Sequence, residues 1–245
     1  MVRVKLIVAY DGTNYCGWQI QKNGITVEEV LNRTLCELCR ENIQVIGASR
    51  TDSGVHALGN VAVFDTESKI PPEKFSFALN QMLPDDIRIQ ESCEVAADFH
   101  PRFCDTIKTY EYQILNRRFD MPTKRLYTSF VYYPLDVEKM QQAAECLVGE
   151  HDFKSFCSSR TQVENTVRTI TALEIDKTDD IISIRISGNG FLYNMVRIIV
   201  GTLMKVGLGI WQPECVEEIL HAKDRSKAGP KAEAKGLTLV EIRYM

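Results

Sequence analysis

The chain opens on a two-residue alternation. Val2, Val4, Leu6, Val8 and Tyr10 fall on one side of an extended segment, which predicts a strand with one buried face. Asp11-Gly12-Thr13-Asn14 follows as a turn. Thr26 with Glu29 three residues on makes a capping box, and Val27, Val30, Leu31, Leu35 and Leu38 continue at helical spacing. Residues 44–46 and 61–64 are short β-rich runs. Pro71-Pro72 opens a second helix that the pattern carries to about Met82, where Leu83-Pro84-Asp85-Asp86 stops it. Residues 87–95 predict a further strand.

A similar series then recurs. Tyr110, Tyr112 and Ile114 alternate on a strand, and residues 129–133 suggest its neighbour. Asp136 can cap a helix to about Val148. Residues 169–175 and 181–187 form a hairpin around Asp179-Asp180. Helices are expected over 191–206 and 213–222, and a closing strand over 237–244. Strands and two helices in each half argue for an α+β protein with antiparallel sheets, divided into residues 1–104 and 105–245.

The composition, 44% hydrophobic and 25% charged, is that of a globular chain. No stretch reaches the roughly 18 to 20 uncharged apolar residues of a membrane span. The most apolar segment, 191–206, carries Asn194, Arg197 and Lys205. The N-terminus lacks the apolar block of a signal peptide, so a cytoplasmic location is expected. The eight cysteines are scattered, as reduced thiols would be there. Cys36 and Cys39 form a CxxC, but inside a helical pattern and without a second ligand pair.

The net charge of −4, from 29 basic and 33 acidic residues, is awkward for a nucleic-acid binder. Local clusters can offset it. Residues 108–125 hold Lys108, Arg117, Arg118, Lys124 and Arg125 against Glu111 and Asp120. Residues 223–235 hold Lys223, Arg225, Lys227, Lys231 and Lys235 against Asp224 and Glu233. Solvated loops account for both clusters equally well.

Motifs of the commonest chemistries are missing: no GxxxxGK[ST], GxSxG, HExxH or dinucleotide GxGxxG is present. His56, His100, His151 and His221 lack ligand spacing, so no metal, nucleotide or redox cofactor is expected. One connector is unusually polar. In Ser49-Arg50-Thr51-Asp52-Ser53-Gly54-Val55-His56, a carboxylate beside a guanidinium would stay ionised and could serve as nucleophile or base. A turn aspartate bonded to backbone amides fits the spacing at least as well. In the helix expected over 191–206, Gly190, Tyr193, Asn194, Arg197 and Gly201 fall on one stripe, either functional or a solvent edge. Tyr110 and Tyr112 beside Lys108 could stack on a base or simply pack in the core.

In this order, these segments resemble the bacterial tRNA pseudouridine synthase A family. The family's Gly-Arg-Thr-Asp-Ala-Gly-Val-His-Ala is matched by Ser49-Arg50-Thr51-Asp52-Ser53-Gly54-Val55-His56-Ala57. Ala9-Tyr10-Asp11-Gly12-Thr13 and Gly17-Trp18-Gln19 resemble its opening. Phe99-His100-Pro101-Arg102-Phe103 and Lys108-Thr109-Tyr110-Glu111-Tyr112 resemble its mid-chain signature. Gly190-Phe191-Leu192-Tyr193-Asn194-Met195-Val196-Arg197 and Gly236-Leu237 complete a match along the whole chain. The resemblance implies two pseudo-symmetric α+β halves around a central RNA-binding cleft, and a homodimer that grips tRNA across both subunits. It implies isomerisation of uridine to pseudouridine in the anticodon stem-loop, at uridines 38 to 40, without a cofactor. Asp52 corresponds to the nucleophile and Arg50 and Arg197 to its basic partners. Tyr110 corresponds to the tyrosine packing on the target base, and Leu237 to a pocket wall. Whether the carboxylate adds at C6 or acts at C1′ stays open.

The chain departs from the family at Ser49 and Ser53, at Gly59-Asn60, and at Ala232-Glu233-Ala234-Lys235, which lacks the family's prolines. Two alternatives follow: a synthase acting on another RNA, or an RNA-binding homologue with weak catalysis.

Overall fold

A computed structural model describes residues 1–158 and 163–245. The fold is α+β, and the chain packs as two compact units: Met1–Asp105 together with Thr238–Met245, and Thr106–Leu237. The last strand therefore belongs with the first unit, where the sequence division had placed it with the second half.

In the first unit, β1 (Val2–Tyr10) is followed by α1 (Val27–Cys39), β2 (Ile46–Gly47), β3 (His56–Thr66), α2 (Phe75–Asn80) and β4 (Ile87–Val95). The inward positions of β1 are those of the alternation: Val4, Leu6 and Val8 are wholly buried. β1 lies antiparallel between β3 and β4, and β2 pairs along β3. Thr26 caps α1 through its hydroxyl, which accepts from the Glu29 amide at 3.3 Å. Its apolar stripe, Val27, Val30, Leu31 and Leu35, is buried. α2 is shorter than expected. Residues Pro72–Lys74 form a 3-10 turn instead of a first α-turn. At the other end Asn80 turns its carboxamide to the main chain of Ile89, donating to its oxygen and accepting from its amide at 2.8 Å each. An asparagine so engaged ends the helix well before Met82.

The second unit holds β5 (Thr106–Asn116), β6 (Ser129–Val131), α3 (Val137–Glu145), β7 (Gly149–Asp152), β8 (Val167–Thr178), β9 (Ile181–Gly188), α4 (Met195–Gly207) and α5 (Cys215–Ala222). β5, β9, β8 and β7 form an antiparallel sheet in that order. The β8–β9 hairpin turns at Asp179, whose φ of 53° is one an aspartate tolerates. α4 supplies most of the core, with Ile198, Ile199, Val200, Leu203 and Val206 at zero exposure. Asp136 caps α3 by accepting from the Lys139 amide at 3.1 Å.

β10 (Leu237–Tyr244) closes the chain, with Thr238 and Leu239 beside His56 and Ala57 of β3. That pairing is parallel, as is β6 on β5, so in neither unit do the strands pair purely antiparallel as expected. Parallel neighbours need a crossover, and period-2 patterning is silent about strand direction.

Candidate active site

Asp52 lies in the connection between β2 and β3, and the structure holds this connection in place through its neighbours. Thr51 is buried, its Oγ1 2.6 Å from the hydroxyl of Tyr10, the last residue of β1. The Trp18 amide donates to the Thr51 carbonyl at 3.1 Å. The Val55 amide donates to the Asp52 carbonyl at 3.1 Å, closing a turn in which Gly54 takes a φ of 76°. The Gly54 amide and the Ser53 hydroxyl both donate to the Tyr15 carbonyl, at 3.3 and 3.2 Å. Tyr15 is itself anchored, its hydroxyl donating to Asp86 at 2.6 Å. Burial and that carboxylate together push the Tyr15 phenol above its ordinary pKa, so it stays a donor.

Residues 12–18 thus form a seam along the aspartate turn. The Gly12 amide donates to Nδ1 of buried His56 at 3.0 Å. The same nitrogen lies 3.1 Å from an oxygen of Asp11. A Cβ at Gly12 would overlap the Val55 carbonyl oxygen. Gly12→Ala is therefore expected to destabilise the protein by about 1–3 kcal/mol through overpacking of backbone against backbone. Gly190→Ala, whose Cβ would meet only the Arg168 side chain at 3.8 Å, should cost well under half of that. Urea denaturation of the two variants checks the contrast, and equal midpoints would show that the seam yields.

The Asp52 side chain is half-buried. Arg50 is exposed and, among the described residues, its side chain makes neither an ion pair nor a hydrogen bond. The expectation that Arg50 holds Asp52 ionised and in position is thus not met within this turn.

In the second unit, the stripe expected over 190–201 dissolves. Asn194 adopts a left-handed φ of 62°, and α4 begins only at Met195. The reason is a long-range clamp: the Asn194 carboxamide donates to the Ser158 hydroxyl at 2.8 Å, and the Ser158 amide to the Tyr193 carbonyl at 3.1 Å. Gly190 and Tyr193 are therefore loop residues. Arg197 sits in the first turn of α4 and is 8% exposed, so it is no solvent edge. Its Nε donates to the Ala232 carbonyl at 2.8 Å and Nη1 to Asn194 Oδ1 at 3.3 Å, while the Ala232 amide donates back to the Arg197 carbonyl at 3.0 Å.

Ala232 belongs to a strap, residues 228–232, that runs against α4 at backbone contact. The Gly229 amide donates to Thr202 Oγ1 at 3.0 Å, and a Cβ at Gly201 would overlap the Pro230 carbonyl. Only a glycine at 201 admits the strap this close.

Tyr110 lies on β5 opposite Ile186, 8% exposed, with the Phe191 ring edge-on at 5.3 Å and 86°. Tyr112, on the same face, is wholly buried. Its hydroxyl donates to the Glu233 carbonyl at 2.9 Å, and burial pushes its pKa up to about 12. Both tyrosines are buried, Tyr112 completely. Leu237 follows the 3-10 turn Ala234–Gly236 and is 5% exposed. Arg50 and Asp52 thus fall in the first unit, and Tyr110, Arg197 and Leu237 in the second. Among the described residues, no group of three His, Cys, Asp or Glu side chains is placed to hold a metal ion.

Sequence reasoning missed Tyr10 and Trp18 as supports of the aspartate turn, and Ala232 as the partner of Arg197. The first two stood in the family-like opening segment; a main-chain carbonyl leaves no trace in sequence.

Comparison with known proteins supplies the context for this geometry. A family model described as tRNA pseudouridine synthase matches residues 6–104 and 143–245. The chain is 51% identical over 244 residues to tRNA pseudouridine synthase A of Thermoanaerobacter sp. (strain X514), covering 100% of both chains. It is 51% identical to the protein of that name from Acetivibrio thermocellus, and 50% to that of Brevibacillus brevis, again over 100% of both chains. A solved archaeal box H/ACA Nop10–Cbf5 complex contains a chain 10% identical, with a TM-score of 0.35, over 97% of this chain and 46% of that one. That likeness is too distant to add to what the relatives say.

Proposed function

The chain belongs to the tRNA pseudouridine synthase family, an isomerase acting on uridine in tRNA, and on that premise we propose the residues and the substrate region through which it acts. Asp52 is the nucleophile toward the nucleotide. What carries this assignment is the aspartate turn: a half-buried carboxylate on a backbone held by Thr51, Tyr15 and Trp18, in a chain half identical to synthases along its whole length. A preorganised carboxylate of this kind meets the reacting carbon without first ordering its own loop.

The reaction breaks the C1′–N1 bond, turns the base and joins C5 to C1′. The C5 proton is lost and N1 gains one, so substrate and product are isomers and no electron acceptor enters. A base stacked in a helix cannot rotate, so the nucleotide must first leave the stack. Tyr110, rigid on β5 against Phe191, is the residue assigned to the face of the released base, restricting where it travels. Arg197 is the buried cation of the set and Leu237 an apolar wall. Arg50, exposed and without a carboxylate, suits a phosphate of the RNA better than an orienting role.

The substrate region we assign is the anticodon stem-loop, at uridines 38 to 40, read by a cytoplasmic homodimer. Full-length identity to proteins named tRNA pseudouridine synthase A supports this region. Mapping pseudouridines in tRNA from cells lacking the protein tests it. Loss at positions 38 to 40 is expected; loss confined to another arm of the tRNA would move the substrate region there.

A further inference from the structure

An acidic chain that binds a polyanion has to concentrate its free cations somewhere. We propose that the crossover from β5 to β6, residues 117–128, together with Tyr132 and Tyr133, is a docking strip for the RNA backbone. The proposal rests on the tRNA reading given above.

Cations that nothing neutralises are the first observation. Arg118, Lys124 and Arg125 are exposed, and among the described residues none of them makes an ion pair. Arg118 lies over the Phe119 ring at 5.2 Å, and Arg125 donates only to the Pro122 carbonyl at 3.0 Å. Arg117 beside them is paired with Asp180 at 3.1 Å. The one acid within 117–128 is Asp120, whose carboxylate accepts from the Met121 amide at 2.7 Å. Some basic side chains elsewhere are matched, as Arg3 is with Asp65, Arg185 with Glu111 and Lys223 with Asp152.

Rings are the second. Seven aromatic side chains are exposed among the described residues, and four of them, Phe119, Tyr127, Tyr132 and Tyr133, stand within this short stretch. Phe119 is 66% and Tyr133 67% exposed. A merely solvated loop has no use for so much bare ring. Cations interleaved with rings suit single-stranded or loop RNA, whose phosphates need charge and whose unstacked bases and riboses need flat apolar partners.

Third, the strip is pinned. The Asn116 carboxamide donates to the Val131 and Tyr133 carbonyls at 3.0 and 2.8 Å and accepts from the Leu135 amide at 3.1 Å. This draws both ends of the crossover to the end of β5. Inside it, the Thr128 amide and hydroxyl both donate to the Lys124 carbonyl, at 3.1 and 3.0 Å. Side chains held on such a frame lose less freedom when a partner arrives.

The test uses the full chain, an unmodified tRNA transcript and a triple variant, Arg118→Ser with Lys124→Ser and Arg125→Ser. Filter binding across 50 to 200 mM KCl should show affinity lower by roughly tenfold or more. The slope of log K against log salt should fall by about 2 to 3, at about 0.7–0.9 for each lost phosphate contact. Single-turnover tritium release from tRNA labelled at uridine C5, at saturating enzyme, should stay within about twofold of wild type. The pair Tyr132→Ala with Tyr133→Ala should weaken binding without changing the salt slope. Wild-type affinity and slope in the triple variant would overturn the proposal. So would a change of sedimentation mass that tracks the binding loss, because the face would then join copies of the chain. Binding is read apart from turnover, so the two readings fail separately. A wild-type protein that binds through the strip yet releases no tritium would remove the reaction and leave the strip standing.

Discussion

Asp52→Ala is expected to abolish tritium release from tRNA labelled at uridine C5 while the protein folds and still binds tRNA. The loss should be on the order of 10⁴-fold or more, the scale seen when a covalent nucleophile is removed. The structure explains why folding should survive. The turn uses the Asp52 carbonyl, the Thr51 hydroxyl and the amides of Gly54 and Val55, none of which the substitution touches. Asp52→Asn is the sharper form, since it keeps the shape and removes only the nucleophilic charge. Both variants should bind the transcript within a few-fold of wild type and denature in urea at nearly the wild-type midpoint. Tritium release persisting at even a hundredth of the wild-type rate would take Asp52 out of the mechanism.

The second large effect belongs to Arg197. Arg197→Met should lower single-turnover tritium release by about 10²–10³-fold, the usual cost of removing one preorganised electrostatic contact. It should also cost stability, about 1–3 kcal/mol, because the Ala232 carbonyl loses its donor inside the protein. Arg197→Lys is expected to restore little. The bond to Ala232 comes from Nε, an atom lysine lacks, and the ammonium cannot also reach Asn194 in the same geometry. Urea denaturation and single-turnover rates measured on the same preparations separate the two losses. Normal turnover in a destabilised Arg197→Met would make the arginine a structural strut only.

Much of the fold could be read from local patterns, because the buried faces follow the pattern of single strands and helices. β4 and β10 lie where alternation put them, and Thr26 and Asp136 cap the helices their positions implied. The start of α4 could not be read this way. Residues 190–194 carry a helical pattern, but Ser158 of a distant segment captures Asn194 and turns its backbone left-handed. Strand direction also escaped, since β6 and β10 pair parallel to neighbours that any period-2 pattern would serve equally well. The site divides along the same line. Asp52 stood out by the residues around it, whereas the supports of its turn are hydrogen bonds between segments far apart in sequence. Adjacency in sequence suggested that Arg50 pairs with Asp52; in the structure its side chain is exposed and makes no ion pair among the described residues.

The strap against α4 bears on which changes this chain can absorb. Arg197 is held by a main-chain oxygen, and every amino acid carries one. The bond to the guanidinium therefore does not depend on which small residue stands at 232, but it does depend on the count of residues from Gly229, tied to Thr202, to Ala232. At position 232 a proline would in fact remove the amide that donates to the Arg197 carbonyl. A single residue gained or lost between the two anchor points would be a different matter, since it would carry the carbonyl past the guanidinium. Across relatives, this segment should vary in letters and stay constant in length.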